Sequence, residues 1–118
     1  MERLLQIAEE RFGRIDFAIN NAGCESPFGP IQDACEADFD RIMGTNLQGV
    51  WLGMKYQIRP MLRQGSGCIV NTSSSAGIVS IPQVGIHSAS KHGIIGLSKA
   101  AAPEQARVHI RITYQSTI

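Results

Sequence analysis

The stretch "GIHSASKHGIIGLSKAAA", residues 85–102, holds two basic side chains, His87 and Lys91, four residues apart. On a helix that spacing is one turn, so both side chains share a face. The face is either a proton-handling pair or a helix surface that carries two basic residues. Two further polar clusters lie upstream: "NNAG" at 20–23 and "NTSSSAG" at 71–77. Asn- and Ser-rich turns ordinarily satisfy backbone groups and cap helices, and a helical lysine is ordinarily solvated. The three clusters gain meaning only if the fold brings them together.

The apolar pattern supplies elements that would do so. Leu4, Leu5, Ile7, Ala8 and Phe12 recur at helical spacing, which predicts a helix over 2–12 stopped by Gly13. "IDFAIN", 15–20, has strand length, and "CESPFGPIQDA" reads as a loop. Asp38 or a neighbour is expected to cap a long helix over about 37–64. Its stripe runs Leu47, Val50, Trp51, Met54, Ile58, Met61 and Leu62, with a kink expected at Pro60. "CIVNTSS", 68–74, is the second strand and "AGIVSIPQVG" a loop. A helix opened by His87 is expected to run to about Arg107, and "HIRITYQ", 109–115, is the third strand. Alternation of this kind implies parallel strands with helical crossovers. Crossovers of one hand, in a sheet growing one way, put every helix on one face. The fold class is therefore α/β: a partial, Rossmann-like doubly wound fold of three parallel strands with helices mainly on one face. "NNAG" and "NTSSSAG" then follow the carboxyl ends of strands, where such sheets collect ligands.

Composition narrows the function classes. The chain has 118 residues, 43% hydrophobic and 18% charged, with a formal charge of +1, and suits one small domain spanning 1–118. That charge gives no general attraction to nucleic acid or membranes. The cluster Arg107, His109 and Arg111 reads as solvated surface. Cys24, Cys35 and Cys68 form no pair at metal-ligand spacing, and their odd number argues against a disulfide framework. No metal site is expected. No apolar run approaches the roughly 20 residues of a membrane span, and "MERLLQIAEERFG" is too charged for a signal core. A reducing, cytoplasmic setting is the expectation.

Taken together, "FGRIDFAINNAG", "NLQGVWLGMK", "GCIVNTSSSAG" and "SASKHGIIGLSKAAA" resemble the short-chain dehydrogenase/reductase family, in that order and over almost the whole chain. The resemblance implies hydride transfer between NAD or NADP and a small alcohol or carbonyl substrate. It implies that Asn20, Ala22 and Gly23 belong to a turn lying along the cofactor. It places Asn46 in a proton relay through water, and Ser74 on the substrate oxygen. Lys91 takes the position that binds the nicotinamide ribose and assists the catalytic acid. That acid is a tyrosine in the family, and His87 stands in its place. An imidazole suits acid–base work near neutrality, but Lys91 disfavours imidazolium. The ring also reaches less far than a phenol, and about 1 Å of misplacement can cost about 100-fold. Little family-type turnover is expected from this chain as written.

Other departures point the same way. No glycine-rich phosphate turn precedes Asn20, "IRITYQSTI" replaces the family's usual last strand and turn, and Pro103 lies near the end of the last long helix. Cofactor binding by the chain alone is accordingly expected to be weak. The alternative is a truncated, non-catalytic paralogue acting as an interaction module. The resemblance also implies homo- or hetero-oligomers through helices 37–64 and 87–107.

Overall fold

The computed structural model describes residues 1–117. Helix α1 (Glu2–Phe12) leads into strand β1 (Phe17–Asn20). After a 3-10 turn at Ile31–Asp33 come helix α2 (Glu36–Ile42) and helix α3 (Gly49–Gln64). Strand β2 (Gly67–Ser74), helix α4 (Gly85–Gln105) and strand β3 (Ile110–Thr117) complete the order. The strands form one parallel sheet in the order β1-β2-β3. Glycine ends two helices as expected: Gly13 (φ 79°) and Gly65 (φ 83°) both adopt the left-handed conformation.

The helices gather on one face. Val50, Met54 and Met61 of α3 and Ile94 and Ala101 of α4 pack on Ile69, Ile110 and Ile112, with Leu5 and Ala8 of α1 at the margin. In register, Ala18, Ile69 and Ile112 form one inward row, and Asn20, Asn71 and Tyr114 the next. The opposite face carries Phe17 and Ile19, which are 74% and 70% exposed.

Buried amides tie the layers together. Asn20 and Gln57 exchange two hydrogen bonds of 3.0 and 2.8 Å, and Asn20 Nδ2 donates to Asn71 Oδ1 at 2.8 Å. Asn71 Nδ2 in turn donates to Ser98 Oγ at 2.9 Å. One polar chain thus runs from β1 through α3 and β2 to α4. Gly53 makes room for it, since a Cβ there would lie 2.6 Å from Asn20 Oδ1.

Several expected boundaries move. Asp38 does not cap α2; Cys35 holds the N-cap position and its thiol donates to Asp38 Oδ2 at 3.1 Å. Helix α3 continues through the buried Pro60 to Gln64. The departure from α-helical bonding lies earlier, in a π-helical segment at Met43–Gln48, where Gly49 N–H reaches back five residues to Gly44 O. Helix α4 opens at Gly85, two residues before His87, and closes at Gln105, which leaves Pro103 in its last turn. There it takes one backbone donor from the helix, the N–H that would have reached the carbonyl of Lys99. Strand β1 starts at Phe17 rather than at residue 15, and β3 runs on to Thr117.

Candidate active site

Past the carboxyl ends of β1 and β2 lies a cleft of about 240 Å³. Its lining includes Gly23, Cys24, Ser74, His87, Lys91 and Thr117. Register and helix geometry explain why these residues meet. Strand β2 ends at Ser74 beside Thr117 of β3, and the first two turns of α4 present His87 and Lys91 on one face.

Lys91 is 7% exposed. Its only side-chain hydrogen bond among the described residues is a long one, 3.4 Å from Nζ to Thr72 O. Burial pushes its pKa below the ordinary 10.5, and the nearby Cys24 opposes that shift in part. The backbone around it is tightly held. Ser73 Oγ donates to Lys91 O at 3.0 Å, and a Cβ on Gly77 would sit 2.8 Å from that same carbonyl. Gly23 is equally close to the ammonium: a Cβ there would lie 3.4 Å from Lys91 Nζ and 3.3 Å from Asn46 Oδ1.

Ser74 lines the cleft, and its Oγ accepts Ala76 N–H at 3.2 Å, capping a short 3-10 turn. The hydroxyl hydrogen therefore remains available to an acceptor in the cleft. His87 is half-buried, with Nδ1 3.4 Å from Cys24 O.

Asn46 stands behind the cleft rather than in its lining. It is fully buried, and the π-helical segment delivers its amide to the peptide of Cys24. Oδ1 accepts Cys24 N–H at 2.8 Å, while Nδ2 donates to Cys24 O and to Ser90 Oγ, both at 3.0 Å. Ser90 Oγ donates onward to His87 O at 2.7 Å. Asn20 and Ala22 are outside the cleft lining: the Asn20 amide is committed to Gln57 and Asn71, and Ala22 is exposed.

Sequence reasoning missed Cys24, Thr72 and Thr117. Cys24 directly follows "NNAG", so adjacency was a usable signal. Thr72 and Thr117 reach the cleft only through strand register, which the sequence does not state. No group of histidine, cysteine, aspartate or glutamate side chains among the described residues could hold a metal ion.

Comparison with known proteins gives a consistent result. The family profile described as short chain dehydrogenase matches residues 1–116. Levodione reductase of Leifsonia aquatica is 42% identical over 112 residues, covering 95% of this chain and 42% of that protein. An uncharacterized oxidoreductase of Thermotoga maritima is 40% identical over 111 residues, covering 94% and 44%. Among solved structures, ElxO with NADP bound superposes with a TM-score of 0.95 at 33% identity, over 98% of this chain and 46% of that one. NAD+-bound xylitol dehydrogenase gives 0.94 at 37% identity, over 97% and 44%. The chain thus spans less than half the length of the relatives it matches.

Proposed function

The chain belongs to the short-chain dehydrogenase/reductase family, and from that membership we propose that residues 1–118 form one partial Rossmann-like domain carrying the catalytic side of a nicotinamide-dependent alcohol/carbonyl oxidoreductase. The observation that carries this reading is the meeting of Gly23, Ser74, His87 and Lys91 around one cleft at the strand ends. Ser74 directs its free hydroxyl hydrogen to the substrate oxygen. Lys91 has ammonium donors left over beyond its single long bond to Thr72, and they suit the hydroxyl groups of a nicotinamide ribose. A side chain at position 23 would crowd that ammonium, so the glycine keeps the approach open. Asn46 holds the Cys24 peptide that walls the cleft.

NAD or NADP, when bound, supplies the hydride acceptor or donor. The residues present fit the ribose end of such a cofactor. The turns after β1 and β2 carry no glycine-rich phosphate cradle, so these residues are assigned no part in binding the pyrophosphate. The substrate class is a small alcohol or its carbonyl, as the printed names of the relatives suggest. Those names favour an oxidoreductase over a purely structural interaction module.

Two chains, or this chain and a relative, pair through α2–α3 and α4. A groove of about 780 Å³ lined by Met43, Leu47, Trp51, Gly93 and Leu97 offers them a shared apolar surface. No described helix is long and apolar enough to cross a membrane, and the three free cysteines agree with a cytoplasmic location.

A hybrid tests the proposal. The segment of levodione reductase that precedes its matched region is joined to this chain, and binding is followed by NADH or NADPH fluorescence. Saturable binding is expected, weakened by Lys91→Ala. Turnover should be slow with His87 in place and rise about 100-fold with His87→Tyr. A folded hybrid that binds neither cofactor overturns the reading.

A further inference from the structure

His87 faces the cleft through a ring whose two nitrogens have different surroundings. Nδ1 lies 3.4 Å from the carbonyl oxygen of Cys24. A carbonyl only accepts, so a hydrogen bond across that contact takes its hydrogen from Nδ1. Nε2 has no hydrogen-bond partner among the described residues. The carbonyl that sets this choice is itself fixed. Asn46 grips both polar atoms of the Cys24 peptide and also Ser90 Oγ, and Ser90 donates to the backbone of His87. The result is a closed ring of contacts, Cys24–Asn46–Ser90–His87, which ties the imidazole to the carbonyl it addresses. Lys91 lies one turn along α4 and lines the same cleft. The remaining ionisable groups of the cleft lining are Cys24 and Glu25.

We propose that the neutral form of His87 carries its hydrogen on Nδ1, with the lone pair of Nε2 left to the cleft as a proton acceptor, and that Asn46 is the positioning residue that holds this tautomer through the backbone of Cys24. The inference rests on the reading of the cleft as an alcohol/carbonyl site. It deepens that reading by giving the site a resting base, where a tyrosine would give it a resting acid. The step assigned to His87 is proton transfer alone. The substrate O–H bond breaks, its electron pair stays on oxygen, and Nε2 takes the proton, leaving an alkoxide beside Lys91 and an imidazolium held by Cys24 O. The substrate that suits this resting state is the alcohol, since a carbonyl needs a proton donor.

The test needs neither cofactor nor turnover. In the full chain labelled with ¹⁵N, long-range proton–nitrogen correlation spectra distinguish the two neutral tautomers, and loss of a signal set in His87→Gln assigns it. His109, exposed and without a side-chain hydrogen bond among the described residues, serves as the unconstrained internal reference. His92, whose Nδ1 lies 2.9 Å from Ser88 O, is a second ring tied to a carbonyl. His87 is expected to favour Nδ1–H by about fivefold, the ratio that one net hydrogen bond sustains, while His109 favours Nε2–H. Asn46→Ala should move His87 toward the His109 pattern and leave His92 unchanged. Ser90→Ala, a gentler change, should do so in part. A wild-type His87 that favours Nε2–H overturns the proposal. An unchanged tautomer in Asn46→Ala, with the His92 signals intact, overturns the positioning role of Asn46. A hybrid that fails to bind cofactor speaks against the oxidoreductase reading and leaves the tautomer as measured.

Discussion

Lys91 is a cation with one poor hydrogen bond in a nearly dry place, and that combination has a thermodynamic signature. Its folded-state pKa lies below the ordinary 10.5, chiefly through burial. Between the lowered value and 10.5 the unfolded chain binds more protons than the folded one, so stability rises with pH across that window. Below the window the buried charge is a standing penalty. Lys91→Met should therefore stabilise the chain at pH 7 by about 1 kcal/mol, and the gap should close as pH approaches 10.5. Urea midpoints of both proteins at pH 7 and pH 10 check this; parallel curves would contradict it. The one-turn spacing of His87 and Lys91 was legible in the sequence because helical periodicity fixes which side chains share a face, whereas Ser74 was singled out by the family resemblance. The burial of Lys91 was not, because an isolated lysine codon says nothing of the strand end and the Gly23 turn that close over it.

The elements meet at a few points where no side chain fits. Gly77 follows β2 and abuts α4, and a Cβ there would press on Ser73 Oγ and on Lys91 O. Neither neighbour is free to yield, since the two are hydrogen-bonded to each other. Gly77→Ala should lower stability by about 1–3 kcal/mol, read as a drop in thermal midpoint, and should displace the first turns of α4. A variant as stable as the wild type would show that this junction is softer than its geometry. Helix existence was readable from apolar stripes, as in Val50, Met54 and Met61. The π-helical segment was not, because "MGTNLQ" has no composition that distinguishes five-residue from four-residue bonding. The early start of α4 was hidden for a related reason. Gln83 precedes it with φ 68°, a conformation that glutamine does not advertise. The amide chain from Asn20 to Ser98 joins residues far apart in sequence, and only the assembled layers reveal it.

At the scale of the whole molecule, the sequence logic of same-handed crossovers anticipated a sheet clothed on one side, and Phe17 and Ile19 are the clearest expression of the other side. Parallel sheets are normally covered on both faces, and exposed apolar strands at a free edge invite association. Phe17→Ser combined with Ile19→Thr should reduce light scattering and dye binding by the isolated chain. Their side chains are solvated already, so unfolding free energy should change by less than about 0.5 kcal/mol. A large loss of stability would mean that this face is covered in solution by something the chain finds for itself. The strand order also sets a timetable. Both partners of central β2 lie a long way off in the chain: Asn20 is 51 residues before Asn71, and Thr117 is 44 after Ser73. On the ribosome, β2 emerges with one flank open and keeps it open until residues 110–117 have been made. Through that interval the sheet depends on slow, long-range closure.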